Sequence, residues 1–128
     1  MNETFGRKEK LKSKKEIELL FKEGSSIRQF PIRLVYRRTT FQEAVPFKAS
    51  VSVSKRNFKK ATDRNKIKRL LREAYRKNNY LIASESTAQY SLLLIYAHTK
   101  MPEYDFVFSK MKKLLLKFAE QELGIKTE

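Results

Sequence analysis

Residues 47–78 read FKASVSVSKRNFKKATDRNKIKRLLREAYRKN, and two hydrophobic periods meet inside this stretch. From Phe47 the residues alternate. Phe47, Ala49, Val51 and Val53 share one side, and Lys48, Ser50, Ser52 and Ser54 share the other. That is a strand with one apolar face and one small polar face, hence a half-covered sheet. The small side chains leave room for a ligand to approach the backbone, and a solvated face fits equally well. From Thr62 or Asp63, both good N-caps, the period changes to that of a helix running to about Asn78.

Ten of the 22 residues from Lys55 to Arg76 are Lys or Arg, which makes their placement on the helix the next question. On a wheel of roughly 100° per residue, Ile67, Leu70, Leu71, Ala74 and Tyr75 form an apolar arc. Asn65, Lys68, Arg69, Arg72 and Arg76 form the next arc, with no acid among them. Arg64 lies at the border, and Glu73 lies beyond the cations. A self-stabilised surface helix mixes signs at i, i+4, whereas Arg64, Lys68 and Arg72 repeat one sign. Arg64 and Lys66 also oppose the helix dipole. An anionic ligand offsets both penalties. Backbone N–H groups of the first turn suit phosphate, as do the five donors of each Arg.

Outward from this core, Ser13-Lys14-Lys15-Glu16 has the form of a capping box. It opens a helix over Ser13–Glu23 that carries Ile17, Leu20 and Phe21, with Gly24 as a left-handed cap. Residues 32–38 alternate as a strand, with Ile32, Leu34 and Tyr36 on one face and Arg33, Val35 and Arg37 on the other. Thr39 to Pro46 reads as a loop. Tyr90 to Ala97 is nearly continuous apolar sequence, the pattern of a central strand covered on both sides. Asp105 caps a final helix over Phe106–Leu123, with Val107, Met111, Leu114, Leu115 and Phe118 as its buried stripe, and Gly124 stops it. Residues 1–10 and 124–128 are expected to fray. The order α-β-β-α-β-α in 128 residues predicts one domain over residues 1–128. Its fold class is α+β, a two-layer α/β sandwich with a small mixed sheet.

A net charge of +15 and a sequence pI near 10.1 call for a polyanionic partner. With no Cys, disulfides and thiolate metal sites are excluded. No apolar run is long enough to span a membrane, and the N-terminus has no signal-peptide core, so a cytoplasmic location is expected. His98 is the only His, the acids form no tight cluster, and 3 Gly cannot build a phosphate loop. No protein-borne catalytic site and no bound cofactor are therefore expected. The expected nucleic-acid-contacting set is Lys55, Arg56, Lys59, Lys60, Arg64, Asn65, Lys66, Lys68, Arg69, Arg72 and Arg76. Three other readings stand beside it. A ribosomal or other structural RNA-binding protein shares the charge and size. A DNA reader would need a recognition helix and spaced half-sites, and a membrane-surface protein would need apolar residues flanking the cations.

The string Ser52-Val53-Ser54-Lys55-Arg56, followed by Arg64-Asn65-Lys66-Ile67-Lys68-Arg69-Leu70-Leu71-Arg72-Glu73, strongly resembles the bacterial ribonuclease P protein subunit. The likeness extends through the first helix, the strand near Pro31–Tyr36, the late strand and the last helix. It departs at Lys66, where an Arg is usual and the bidentate fork is lost, and at Asp63, where an apolar residue is common. The resemblance implies a left-handed βαβ crossover. It also implies a non-catalytic subunit that binds the catalytic RNA of ribonuclease P and helps remove the 5′ leader of precursor tRNA. The RNA would do the chemistry, with magnesium in the holoenzyme. Arg64, Asn65, Lys66, Lys68, Arg69 and Arg72 match its basic motif. A leader cleft between the first helix and the open sheet face is implied, with Phe21, Tyr36, Ser50 and Ser52 as candidates. Ile17 stands where an aromatic is frequent. For Phe21, core packing remains an alternative to stacking on a base.

Overall fold

The computed structural model describes residues 6–82 and 88–125. Its elements are α1 (Lys14–Glu23), β1 (Ser25–Gln29), β2 (Ile32–Thr39), β3 (Phe47–Val53), α2 (Ala61–Asn78), β4 (Gln89–Tyr96) and α3 (Tyr104–Glu122). The sheet order is β1-β2-β4-β3, with β3 and β4 parallel and the other pairs antiparallel. β4 is the central strand that its continuous apolar sequence predicts. It presents Leu92, Leu94 and Tyr96 to one face and Leu93 and Ile95 to the other. The parallel pair is joined through α2.

The larger core lies between the sheet and helices α2 and α3. Ile67, Leu71, Ala74 and Tyr75 of α2 and the predicted stripe of α3 pack there on Ile32, Leu34, Ala49 and Val51. An aromatic cluster closes one end. Phe118 meets Tyr36, Phe47 and Tyr90 edge-on, with centroids 5.1, 6.0 and 5.5 Å away. α1 adds a partial third layer on the opposite face, where Leu20 packs with Leu11, Val35 and Leu93.

The structure differs from the expected elements at several points. The strand β1 is additional. It contains one buried residue, Ile27, and is fixed by pairing with β2. Helix α2 starts at Ala61 behind Lys60, so Asp63 lies in the first turn, where it favours the dipole, and does not act as the N-cap. Helix α3 starts at Tyr104 behind Glu103, which puts Asp105 in its first turn too. The capping box is only half made. The Ser13 hydroxyl accepts the Glu16 N–H at 3.2 Å, but the Glu16 carboxylate is taken by Arg37 Nη1, at 2.9 and 3.0 Å from its two oxygens. Gly24 has φ −73° and ψ 155°, an extended cap and not a left-handed one. Gly124, at φ 68°, does occupy the left-handed region.

Of the segments expected to fray, residues 1–5 and 126–128 lie outside the described residues. Within 6–10, Arg7–Glu9 forms a 3-10 turn and Lys10 bridges to Ala49. Leu11 then donates its N–H to the Ala49 carbonyl at 2.8 Å. This segment covers the β3 edge and inserts Leu11 under α1. The 41–46 loop is held from β4. Gln89 Nε2 donates to the carbonyls of Glu43 and Val45, and its Oε1 accepts from the Phe41 N–H.

Candidate nucleic-acid interface

Helix α2 buries Ile67, Leu71, Ala74, Tyr75 and Asn78 and leaves the adjoining arc to solvent. Arg69 and Arg72 are exposed, and Lys68 is half-buried. Among the described residues, none of these three is paired with a carboxylate. Asn65 and Lys66 are exposed as well. Arg76 differs. Its Nη2 lies 2.6 Å from Glu73 Oε1, and that hydrogen bond, followed by the charge of Arg76, holds the Glu73 carboxyl below the usual carboxylate range.

The loop before α2 is ordered by three contacts. The Ser54 hydroxyl accepts the Arg56 N–H at 3.1 Å, an ST turn. Phe58 is buried against Tyr96, with ring centroids 6.1 Å apart. Arg64 Nη1 donates to the carbonyls of Phe58 and Lys59, each at 2.9 Å. On the wheel Arg64 falls on the side of the buried residues, so its side chain folds under the loop. Lys55, Arg56, Lys59 and Lys60 are left exposed around it. The structure thus gives Arg64 a clamp position that its place in the basic motif does not suggest. Arg64→Ala is expected to lower stability by about 1–3 kcal/mol through two lost charge-assisted hydrogen bonds. This reads as a lower urea midpoint, and an unchanged midpoint would return Arg64 to the purely ligand-facing cations.

The arc of α2 connects to the sheet. A groove of about 200 Å³ runs between Lys10–Lys12 and Ala49–Val51, with Ser50 in its floor and Arg72 at its rim. A second, about 640 Å³, continues past Lys10–Lys12 to Glu16, Phe41 and Lys48. Lys10 and Lys12 are therefore further cations of this surface. They lie in the polar N-terminal stretch, where no period marks them. Here Lys48 Nζ lies 2.6 Å from Glu43 and 5.1 Å from the Phe41 ring centre.

Helix α1 has two unlike flanks beside buried Leu20. Glu16 and Glu23 lie on one flank and both reach Arg37, at 2.9 and 3.5 Å. The hydrogen bond that Arg37 donates to the Glu16 carboxylate is the main cause that raises the Arg37 pKa. Ile17 and Phe21 lie on the other flank. Ile17 packs against the small core, while Phe21 is 62% exposed, so core packing does not account for Phe21. Ser50 and Ser52 lie on the sheet face that α1 partly covers, in register with Leu93 and Ile95. Tyr36 does not join them. It is 8% exposed and belongs to the aromatic cluster on the opposite face. Its register partner is Leu92, which also faces the large core, so strand alternation directs it away from the groove. On β2, the residues on the α1 side are Arg33, Val35 and Arg37.

Among the described residues, no group of three or more His, Cys, Asp or Glu stands close enough to hold a metal ion. No described helix is long and apolar enough to cross a membrane.

Known proteins resemble this chain in both sequence and fold. The Ribonuclease P family model matches residues 5–119. The ribonuclease P protein component of Porphyromonas gingivalis is 34% identical over 121 residues, covering 91% of this chain and 88% of that protein. The component from Thermotoga maritima is 37% identical over 82 residues, covering 64% of this chain and 67% of that protein. In structure, the RNase P protein from Thermotoga maritima superimposes with a TM-score of 0.67 at 24% identity, covering 85% of this chain and 96% of that one. The Staphylococcus aureus RNase P protein gives 0.67 at 22% identity, covering 88% and 95%. These likenesses take in the strand β3, the basic helix and the sheet that carries the groove, and the chain belongs to the ribonuclease P protein family, the protein subunits of the enzyme that processes tRNA 5′ ends.

Proposed function

We propose that this subunit binds the catalytic RNA of ribonuclease P through the cationic arc of α2 and the loop before it. In the same complex it holds the 5′ leader of precursor tRNA along the groove between α1 and the sheet. The observation that carries this reading is the set Lys68, Arg69 and Arg72, which no carboxylate pairs among the described residues, beside the polar floor of β3, with Arg72 at the groove rim. Cations that track phosphates beside an exposed aromatic are what single-stranded RNA requires. Phe21 supplies the aromatic from α1, Ser50 keeps the groove floor low, and Ser52 follows it on the same sheet face.

The phosphodiester chemistry is assigned to the RNA, with magnesium held there. The protein's side chains support this division. Glu16, Glu43 and Glu73 are each committed to a cation. The only His is set against Phe30, with ring centroids 5.0 Å apart. The protein's own work is to neutralise phosphate charge and to fix the leader's path, in the cytoplasm where precursor tRNA is made.

Reconstitution tests this. Adding the protein to a ribonuclease P RNA at physiological magnesium is expected to raise the rate of precursor cleavage. No rise, or cleavage by the protein alone, would overturn the assignment. In the same system Phe21→Ala is expected to reduce the preference for precursor over mature tRNA by about tenfold, the loss of one stacked base. An unchanged ratio of the two affinities would remove the leader from this groove.

A further inference from the structure

The sheet face that carries Ser50 and Ser52 continues past β4 to the far edge of the sheet. The strand register places Ser52 beside Ile95, Ile95 beside Arg33, and Arg33 beside Arg28. These four residues form one row across the whole sheet. Ile95 packs into the small core under α1, so the row lies on the face that carries the groove. Phe30 follows in the turn between β1 and β2, and it is 63% exposed.

The row is electrostatically incomplete. Like charges directly opposite on neighbouring strands are destabilising. Among the described residues no carboxylate is paired with Arg28 or Arg33. The Arg33 Nε is buried, with no acceptor among the described residues. A third cation stands close by, since Lys117 Nζ donates to the Arg28 carbonyl at 3.1 Å. Phe30 is backed on one side by His98, with ring centroids 5.0 Å apart at 60°, and its exposure leaves ring surface open to a ligand.

Edge protection explains part of this. A charged residue such as Arg28 on an edge strand discourages pairing with another chain. It does not explain Arg33, which sits on an interior strand, and an exposed Phe30 works against it. Anionic, stackable single-stranded RNA satisfies all three residues together.

We propose that the β1–β2 hairpin is a further contact for single-stranded RNA, in which Phe30 stacks on a base and Arg28 and Arg33 meet flanking phosphates of the leader after it passes Phe21. This rests on the leader reading above and extends it to nucleotides farther from the cleavage site. The distance from β3 to β1 is three strand spacings, roughly 14 Å.

The test uses the reconstituted complex and precursor tRNAs whose leaders are shortened one nucleotide at a time. Phe30→Ala is expected to weaken binding of long-leader precursor about tenfold, and Arg28→Ala to make its salt dependence shallower by about one unit of log-log slope. Both effects should vanish once the leader is too short to reach the hairpin. Undiminished affinity at every length would overturn the proposal. So would a loss equal for all lengths and for mature tRNA, which would assign the hairpin to the catalytic RNA. Phe21→Ala in parallel separates the two ideas. If Phe21→Ala lowers precursor affinity and neither hairpin variant does, the groove stands and the hairpin contact falls. If none of the three does, the leader reading itself is wrong. Phe30 and Arg28 are exposed, so thermal melts of the variants should match the parent.

Discussion

Replacing Lys68, Arg69 and Arg72 together by Ala is expected to weaken binding to ribonuclease P RNA by two to three orders of magnitude, with the fold intact. Each lost phosphate contact removes about one unit from the slope of log affinity against log salt, so the triple variant should lose roughly three. The expectation rests on three features of α2. The side chains share one arc beside the buried stripe, the two arginines are exposed, and no described carboxylate competes for any of them. Stability should hold or rise slightly, because Lys68 and Arg72 are like charges at i, i+4 and their removal relieves a few tenths of a kcal/mol. Arg76→Ala makes an internal comparison. Glu73 already occupies that guanidinium at 2.6 Å, so its loss should cost less affinity than loss of Arg69 or Arg72. Titrations at several salt concentrations, with a thermal melt of each variant, check both statements. An unchanged salt slope in the triple variant would mean that the arc faces something other than a phosphate backbone.

The elements that could be read from the chain are those whose signal is periodic. The alternation of Phe47–Val53, the wheel of α2 and the unbroken run in β4 each report burial residue by residue, and burial is what the fold enforces. Strand β1 escapes that logic. Ser25–Gln29 has one buried residue, lies at a sheet edge, and owes its conformation to hydrogen bonds with β2. The same holds for Lys10 and Leu11, which join the sheet through a single bridge and one N–H.

Side-chain partners that no helical or strand period links are equally hidden. Glu16 looks like half of a capping box until Arg37, 21 residues on, draws its carboxylate away. Arg64 looks like one more phosphate ligand until the loop carbonyls of Phe58 and Lys59 are placed above it. Tyr36 is the opposite case. The alternation of Ile32, Leu34 and Tyr36 already put it on the apolar face, and family likeness alone assigned it to the cleft. The local pattern was the better guide, because one strand cannot turn a single residue to the other face without a bulge. That same alternation sets Arg33 on the groove side, where it stands beside Arg28.

Gly24→Ala is expected to destabilise the protein by about 2–3 kcal/mol, an overpacking cost at a junction that cannot give way. The backbone angles are not the obstacle, since φ −73° and ψ 155° suit any residue. Space is. A methyl group at this position would lie 2.4 Å from the Leu20 carbonyl oxygen, 2.8 Å from Val35 Cγ1 and 3.1 Å from the Tyr36 carbonyl oxygen. Two of the three neighbours are backbone. One belongs to the last turn of α1 and the other to β2, so relief requires the helix and the strand to separate. The Gly24 N–H also donates to Leu20 at 2.9 Å, which ties the glycine to the turn it would have to leave. Because α1 is held to the sheet by a small core of Leu11, Leu20, Val35 and Leu93, a shift there is felt by every member. The melting temperature should fall by roughly 10 °C. Where the variant remains folded, the displaced helix carries Phe21 with it, so the preference for precursor over mature tRNA should fall as well. Affinity for the catalytic RNA, which we assign to α2 on the other side of the sheet, should change little below the melting transition. A melt within about 2 °C of the parent would show that α1 yields freely, and Phe21 could then not serve as a fixed platform.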